Sequence, residues 1–137
     1  MSCMLKISGE ALDIEALLLH RSLAPYRTWR KGEARTIKSK VHSDSGVSFV
    51  ASDADFYEFA RQLTEATVFL EAHASEIASM VATPGVTFAT LDFGVSLYED
   101  SVAQFCSFPP KFVGLAASAS LGLEVSIYAC SKDASEG

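Results

Sequence analysis

The chain has 137 residues, 49% apolar and 20% charged, with a formal net charge of −6. A chain of this length buries about two-thirds of the surface that its unfolded form exposes, so it needs no disulfide or metal staple, and its composition excludes a disordered protein. The longest aliphatic run, Ala16-Leu17-Leu18-Leu19, is far too short to cross a bilayer, and the acidic balance disfavours general binding to nucleic acid, which requires a whole face rich in Lys and Arg.

Met1-Ser2-Cys3-Met4-Leu5-Lys6 leads straight into alternating residues without the pattern of a secretory leader, so the expected location is the cytoplasm. Cys3, Leu5 and Ile7 alternate with Met4, Lys6 and Ser8, as in a strand with one buried face, and Gly9 breaks the pattern. Asp13 reads as the N-cap of a helix with Ile14, Leu17 and Leu18 on one stripe. Pro25 sets the latest end for that helix, because it disfavours helical geometry at Ala24. In the next extended segment Arg27, Trp29 and Lys31 take one side and Thr28 and Arg30 the other, until Gly32. Residues 33–45 read as an exposed connection, and Val47, Phe49 and Ala51 as another strand.

Ser52, with Asp55 three residues later, reads as a capping signal for a helix through Phe56, Phe59, Ala60, Leu63 and Leu70. Helical spacing resumes from His73 to Ala82, as a second helix or as the same helix kinked, and must close before Pro84-Gly85. Leu91, Phe93, Val95 and Leu97 alternate as a strand, with Glu99-Asp100-Ser101 as a hairpin turn and Val102 to Phe108 as the returning strand. Pro109-Pro110 begins a helix with Phe112, Leu115, Ala116 and Ala119 inward and Gly122 as its stop; Leu123 to Ala129 forms the last strand. The expected fold is one α+β domain over residues 1–137, a largely antiparallel sheet with helices packed on one face.

No constellation of catalytic residues emerges. His20, His42 and His73 are scattered without ligand spacing, so neither a metal site nor a cofactor is expected. Cys3, Cys106 and Cys130 are odd in number and lack Cys-x-x-Cys spacing. Each sits in an apolar, strand-like segment and reads as a core or near-core thiol. Nucleophile-elbow and phosphate-loop sequences are absent, and Asp92-Phe93-Gly94 stands inside a strand without any other kinase element. Asp92, Glu99, Asp100 and Glu124, with Tyr98 and Tyr128, fit the solvent side of an antiparallel sheet.

Charge is unevenly distributed. Residues 21–40 hold Arg21, Arg27, Arg30, Lys31, Arg35, Lys38 and Lys40 against one acid, Glu33, whereas the rest of the chain is strongly acidic. The only tryptophan, Trp29, lies at the centre of this segment. An indole flanked by guanidinium groups can receive an anion; the structural reading is that it lies over a sheet edge beside aliphatic Arg and Lys stems, with the charges paired to Glu10, Asp13 and Glu15.

The run Ile7-Ser8-Gly9, Leu12-Asp13-Ile14, then Pro25-x-Arg27-x-Trp29-x-Lys31-Gly32-Glu33 resembles the N-terminal signature of the bacterial domain-of-unknown-function 4279 family. Pro110 to Tyr128, with Leu121-Gly122-Leu123-Glu124-Val125-Ser126-Ile127-Tyr128, is similar to the helix, glycine and closing strand of that family. The resemblance covers residues 3–130 and departs at Val47-Ser48-Phe49-Val50, where many relatives carry a tryptophan. It implies a small cytoplasmic bacterial domain and supplies no catalytic residue.

The leading expectation is therefore a non-catalytic binding module whose Arg27, Trp29, Arg30 and Lys31 engage an acidic protein surface or a small anionic ligand. One alternative is a small enzyme with a pocket between the sheet and the helix after Ser52, using Asp92 or Tyr128 for proton transfer. Another is an immunity-type inhibitor acting through its acidic face. Oligomeric state is left open.

Overall fold

The computed structural model describes residues 1–35, 40–100 and 102–129. In chain order its elements are β1 (Cys3–Gly9), α1 (Ile14–Leu18), β2 (Arg27–Trp29), β3 (Ser45–Ser52), α2 (Phe59–Val81), β4 (Phe88–Ser96), α3 (Pro110–Ser118) and β5 (Gly122–Tyr128). The strands form a single sheet in the order β2-β3-β1-β4-β5. The first four strands pair antiparallel and β4–β5 is parallel, so the fold is α+β with a mostly antiparallel sheet.

Period-two alternation sends Cys3, Leu5 and Ile7 of β1, Val47, Phe49 and Ala51 of β3, and Leu91 and Phe93 of β4 to the same side. There they meet Ile14 and Leu17 of α1, Leu70, Ile77 and Met80 of α2, and Phe112 and Ala116 of α3 in one core. Each fully buried large apolar side chain contributes about 1.5–3 kcal/mol relative to exposure, which makes this side the main source of stability. Phe93 sits at its aromatic centre, with ring centroids 5.5 Å from Phe59, 5.2 Å from Phe108 and 5.7 Å from Phe112. Among the described residues no helix is long and apolar enough to cross a membrane.

Asp13 caps α1 as expected, its carboxylate accepting from the backbone N–H groups of Glu15 and Ala16 at 3.0 and 3.3 Å. The helix ends at Leu18, well before Pro25, and His20 adopts a left-handed φ of 59°. Glu76 of α2 holds the chain beyond it, accepting from the N–H groups of Ser22 at 2.6 Å and Leu23 at 3.1 Å and from the Ser22 hydroxyl at 2.5 Å. These bonds, the Ser22 hydroxyl first, hold the Glu76 carboxyl below the usual glutamate range.

Several expectations need correction. Ser52 and Asp55 do not cap α2, which starts at Phe59 after Glu58. Ser52 Oγ instead accepts from Ala54 N–H and donates to Glu65, and Asp55 accepts from Tyr57 N–H, so both residues build the turn before the helix. The two helical stretches from Phe59 to Val81 form one helix. No strand runs from Val102 to Phe108: β4 reaches β5 by a parallel crossover through α3, and Phe105 is 86% exposed. Cys106 therefore lies outside any strand. Nor does Gly122 stop α3. Ser120 takes the left-handed φ of 62°, with Leu121 N–H bonded to Ala116 O and Ser120 N–H to Ala117 O, and Gly122 opens β5. Ser101, Lys38 and Cys130 lie outside the described residues.

Candidate functional site

The face of the sheet opposite the helices is polar, and its geometry follows from strand register. In β2, Arg27 stands opposite Ser48 of β3, and Ser48 stands opposite Lys6 of β1. Directly opposed residues share a face, so Arg27, Ser48 and Lys6 form a row across three strands. Two residues along, Trp29, Gly46 and Ser8 form a second row. Gly46 is required there: a Cβ would stand 2.2 Å from Trp29 Cζ2, so only glycine lets the indole lie against the sheet. At the far end of the same face, Gly94 lies under Phe56, where a Cβ would stand 2.9 Å from the ring.

The connection between β2 and β3 folds over this face. An antiparallel bridge joins Ala34 to Val41. Gly32 N–H bonds to His42 O, and His42 N–H to Glu33 O, each at 2.9 Å. The exposed connection thus contains a short ribbon, and it brings His42 to Trp29 with ring centroids 6.1 Å apart and planes 28° from parallel. Asp44 accepts the indole N–H at 3.0 Å, which sets the ring's orientation. A cavity of about 490 Å³ results. Met4, Lys6 and Ser48 line it from the sheet, Tyr26, Arg27 and Trp29 from the edge strand and its approach, and Arg35, His42, Ser43 and Asp44 from the ribbon.

The basic segment is divided by its partners. Arg30 pairs with Glu15, Lys31 Nζ lies 3.3 Å from Glu10, and neither residue lines the cavity. Hydrogen bonding to Arg30 holds the Glu15 carboxyl below its usual range. Arg27 and Arg35 do line the cavity, and among the described residues no carboxylate lies within ion-pair distance of either. Of the four residues singled out from sequence, the structure brings Arg27 and Trp29 together and turns Arg30 and Lys31 to other work. Lys6, Arg35, His42 and Ser48 were missed as cavity residues. Only Arg35 carried a sequence signal, as a member of the basic segment.

Lys6 is part of a further network. Its Nζ donates to Asp92 Oδ2 at 2.8 Å, and the hydroxyl of Ser126 donates to Asp92 Oδ1 at 2.7 Å. Asp92 is only 6% exposed, although no helix covers it, because these neighbours close around it. A buried carboxylate with both oxygens occupied serves as an anchor for Lys6. The space between the sheet and α2, where an enzyme pocket was one expectation, is filled by Phe49, Leu70, Ile77, Met80 and Phe93. Burial, followed by the charge of Asp92, pushes the Cys3 thiol far above its ordinary range, so it stays protonated and inert. Among the described residues no group of three or more His, Cys, Asp or Glu is placed to hold a metal ion.

Comparison of the chain with models of protein families, with curated proteins and with solved structures found no match.

Proposed function

We propose that this protein is a binding module that takes a small anionic ligand into the cavity on the helix-free face of its sheet. One observation carries the reading. Arg27 and Arg35 line a concave space and, among the described residues, neither has a carboxylate within ion-pair distance, while Arg30 and Lys31 in the same segment are paired. A guanidinium offers forked donors that suit carboxylate or phosphate oxygens. The volume lies within the roughly 300–1,000 Å³ typical of small-molecule sites, and a concave shape favours a small ligand over a flat protein surface. The resemblance to the domain-of-unknown-function 4279 family, and the cytoplasmic location that it implies, are part of the same proposal; of the residues that carry the resemblance, Arg27 and Trp29 line the cavity.

The single tryptophan reports on its own site. Titration of the full chain with inorganic phosphate, citrate and AMP, followed by Trp29 fluorescence, is expected to give a saturable change with at least one of them. Arg27→Ala combined with Arg35→Ala is expected to abolish it. Absence of saturation with all three, or equal binding by the double variant, would overturn the reading.

A further inference from the structure

Ser48 carries the next step. It lines the cavity and is 6% exposed, yet among the described residues its hydroxyl has no hydrogen-bond partner. A hydroxyl at the wall of a cavity without a protein partner is open to water and is placed to exchange that water for a ligand oxygen. Its neighbours across the strands are Arg27 on one side and Lys6 on the other, at strand spacings of about 4.7–4.9 Å. Guanidinium, hydroxyl and ammonium thus stand on neighbouring strands along one wall of the cavity, where they can serve as donors to one oxyanion.

The opposite end of the cavity differs in character. Trp29 and His42 form an aromatic wall, and Asp44 brings a negative charge beside it, one oxygen of which is taken by the indole N–H. An anion is repelled at that end, whereas a planar ring with an N–H donor finds both a packing surface and an acceptor. The two rows are two residues apart along the strands, about 6.6–6.8 Å, which is the reach of a sugar between a phosphate and a ring. Asp92 already compensates Lys6, leaving Arg27 and Arg35 as the cavity's two cations without an ion-pair partner among the described residues, with Asp44 at the other end. That number suits a phosphate monoester, which carries about −1.5 to −2 at neutral pH, better than a polyphosphate.

We infer that the cavity binds a nucleoside monophosphate, its phosphate in the Arg27–Ser48–Lys6 row and its amino-bearing base along the Trp29–His42 wall beside Asp44. This rests on the anion-binding reading above and specifies the ligand class of the same site. The test is calorimetric titration of the full chain with AMP, ribose 5-phosphate and adenosine, in the native protein and in the Ser48→Ala and Ser48→Thr variants. AMP is expected to bind at least about tenfold more tightly than either fragment. Ser48→Ala is expected to weaken AMP and ribose 5-phosphate by about tenfold, and Ser48→Thr, which keeps the hydroxyl, to restore them. Adenosine is expected to respond to neither variant.

Equal affinity for AMP and ribose 5-phosphate would overturn the base assignment. AMP binding untouched by Ser48→Ala would overturn the phosphate assignment. Binding of citrate or inorganic phosphate through Arg27 and Arg35 with no binding of AMP would remove the nucleotide and leave the anion site standing. Failure of every probe removes both.

Discussion

On the helix side of the sheet, Leu5, Val47 and Phe93 disappear beneath α2 and α3; on the other side their immediate sequence neighbours Lys6, Ser48 and Asp92 meet one another or a cavity. The same three strands build both surfaces. The first works by area removed from water, which is non-directional and tolerates any well-packed apolar residue. The second buries polar groups, each of which requires a partner in a particular direction. Asp92 has two such partners and is a structural anchor. Among the described residues Ser48 Oγ has no hydrogen-bond partner and the exposed Arg27 and Arg35 have no ion-pair partner, so on this side donors line the cavity and face solvent.

The largest expected effect lies on the helix side. Phe93→Ala removes a ring packed against three others and is expected to cost about 3–5 kcal/mol in urea unfolding, against under about 1 kcal/mol for Ser48→Ala, which breaks no hydrogen bond. Equal costs would collapse the distinction between the faces. On the open face, Gly46→Val places a side chain where the indole lies and is expected to cost about 1–3 kcal/mol by overpacking. It should also shift Trp29 emission to the red and raise its quenching by acrylamide as the bond to Asp44 is lost. An unchanged spectrum would show that the indole does not rest on Gly46.

Acid tests the tie between α2 and the chain entering β2. The Glu76 carboxyl is held below its ordinary range in the folded protein, so its contribution is fully present above the unfolded value and is lost as pH falls through the folded one. Glu76→Gln is therefore expected to lower stability by under about 1.5 kcal/mol at pH 7, with the gap to the native protein closing in acid. A gap of constant size down to pH 3 would assign the effect to shape rather than charge.

The smallest effect separates the two parts of the basic segment. Arg30→Glu with Lys31→Glu reverses charges that face Glu15 and Glu10 on the surface and is expected to change anion binding by less than about twofold, because exposed pairs contribute little and lie outside the cavity. Reversal at Arg27 and Arg35 should abolish it. Loss of binding in the first variant would move the site out of the cavity and onto the outer surface.

Local chemistry made much of the fold legible: period-two alternation in Cys3–Ile7 and Leu91–Val95, the cap at Asp13, and the prolines opening α3. It failed where local signals had two outlets. Ser52 and Asp55 have the same hydrogen-bonding capacity in a turn as at a helix cap, and Ser120 supplied the left-handed residue expected of a glycine. Val102 to Phe108 has an apolar, strand-like composition, yet the parallel crossover through α3 gives β5 the place beside β4.

The sequence by itself determined that an α+β fold would form, with apolar stripes to bury, and that positive charge would gather around Trp29. Only the tertiary structure decided which of those charges are paired with acids. Glu15 and Glu10 reach Arg30 and Lys31 from α1 and the turn before it, while strand register sets Ser48 between Arg27 and Lys6 and the ribbon carries Arg35 and His42 over them. Local pattern reports the side of a strand that a residue takes; its neighbour on that side depends on which strands lie adjacent and in what register.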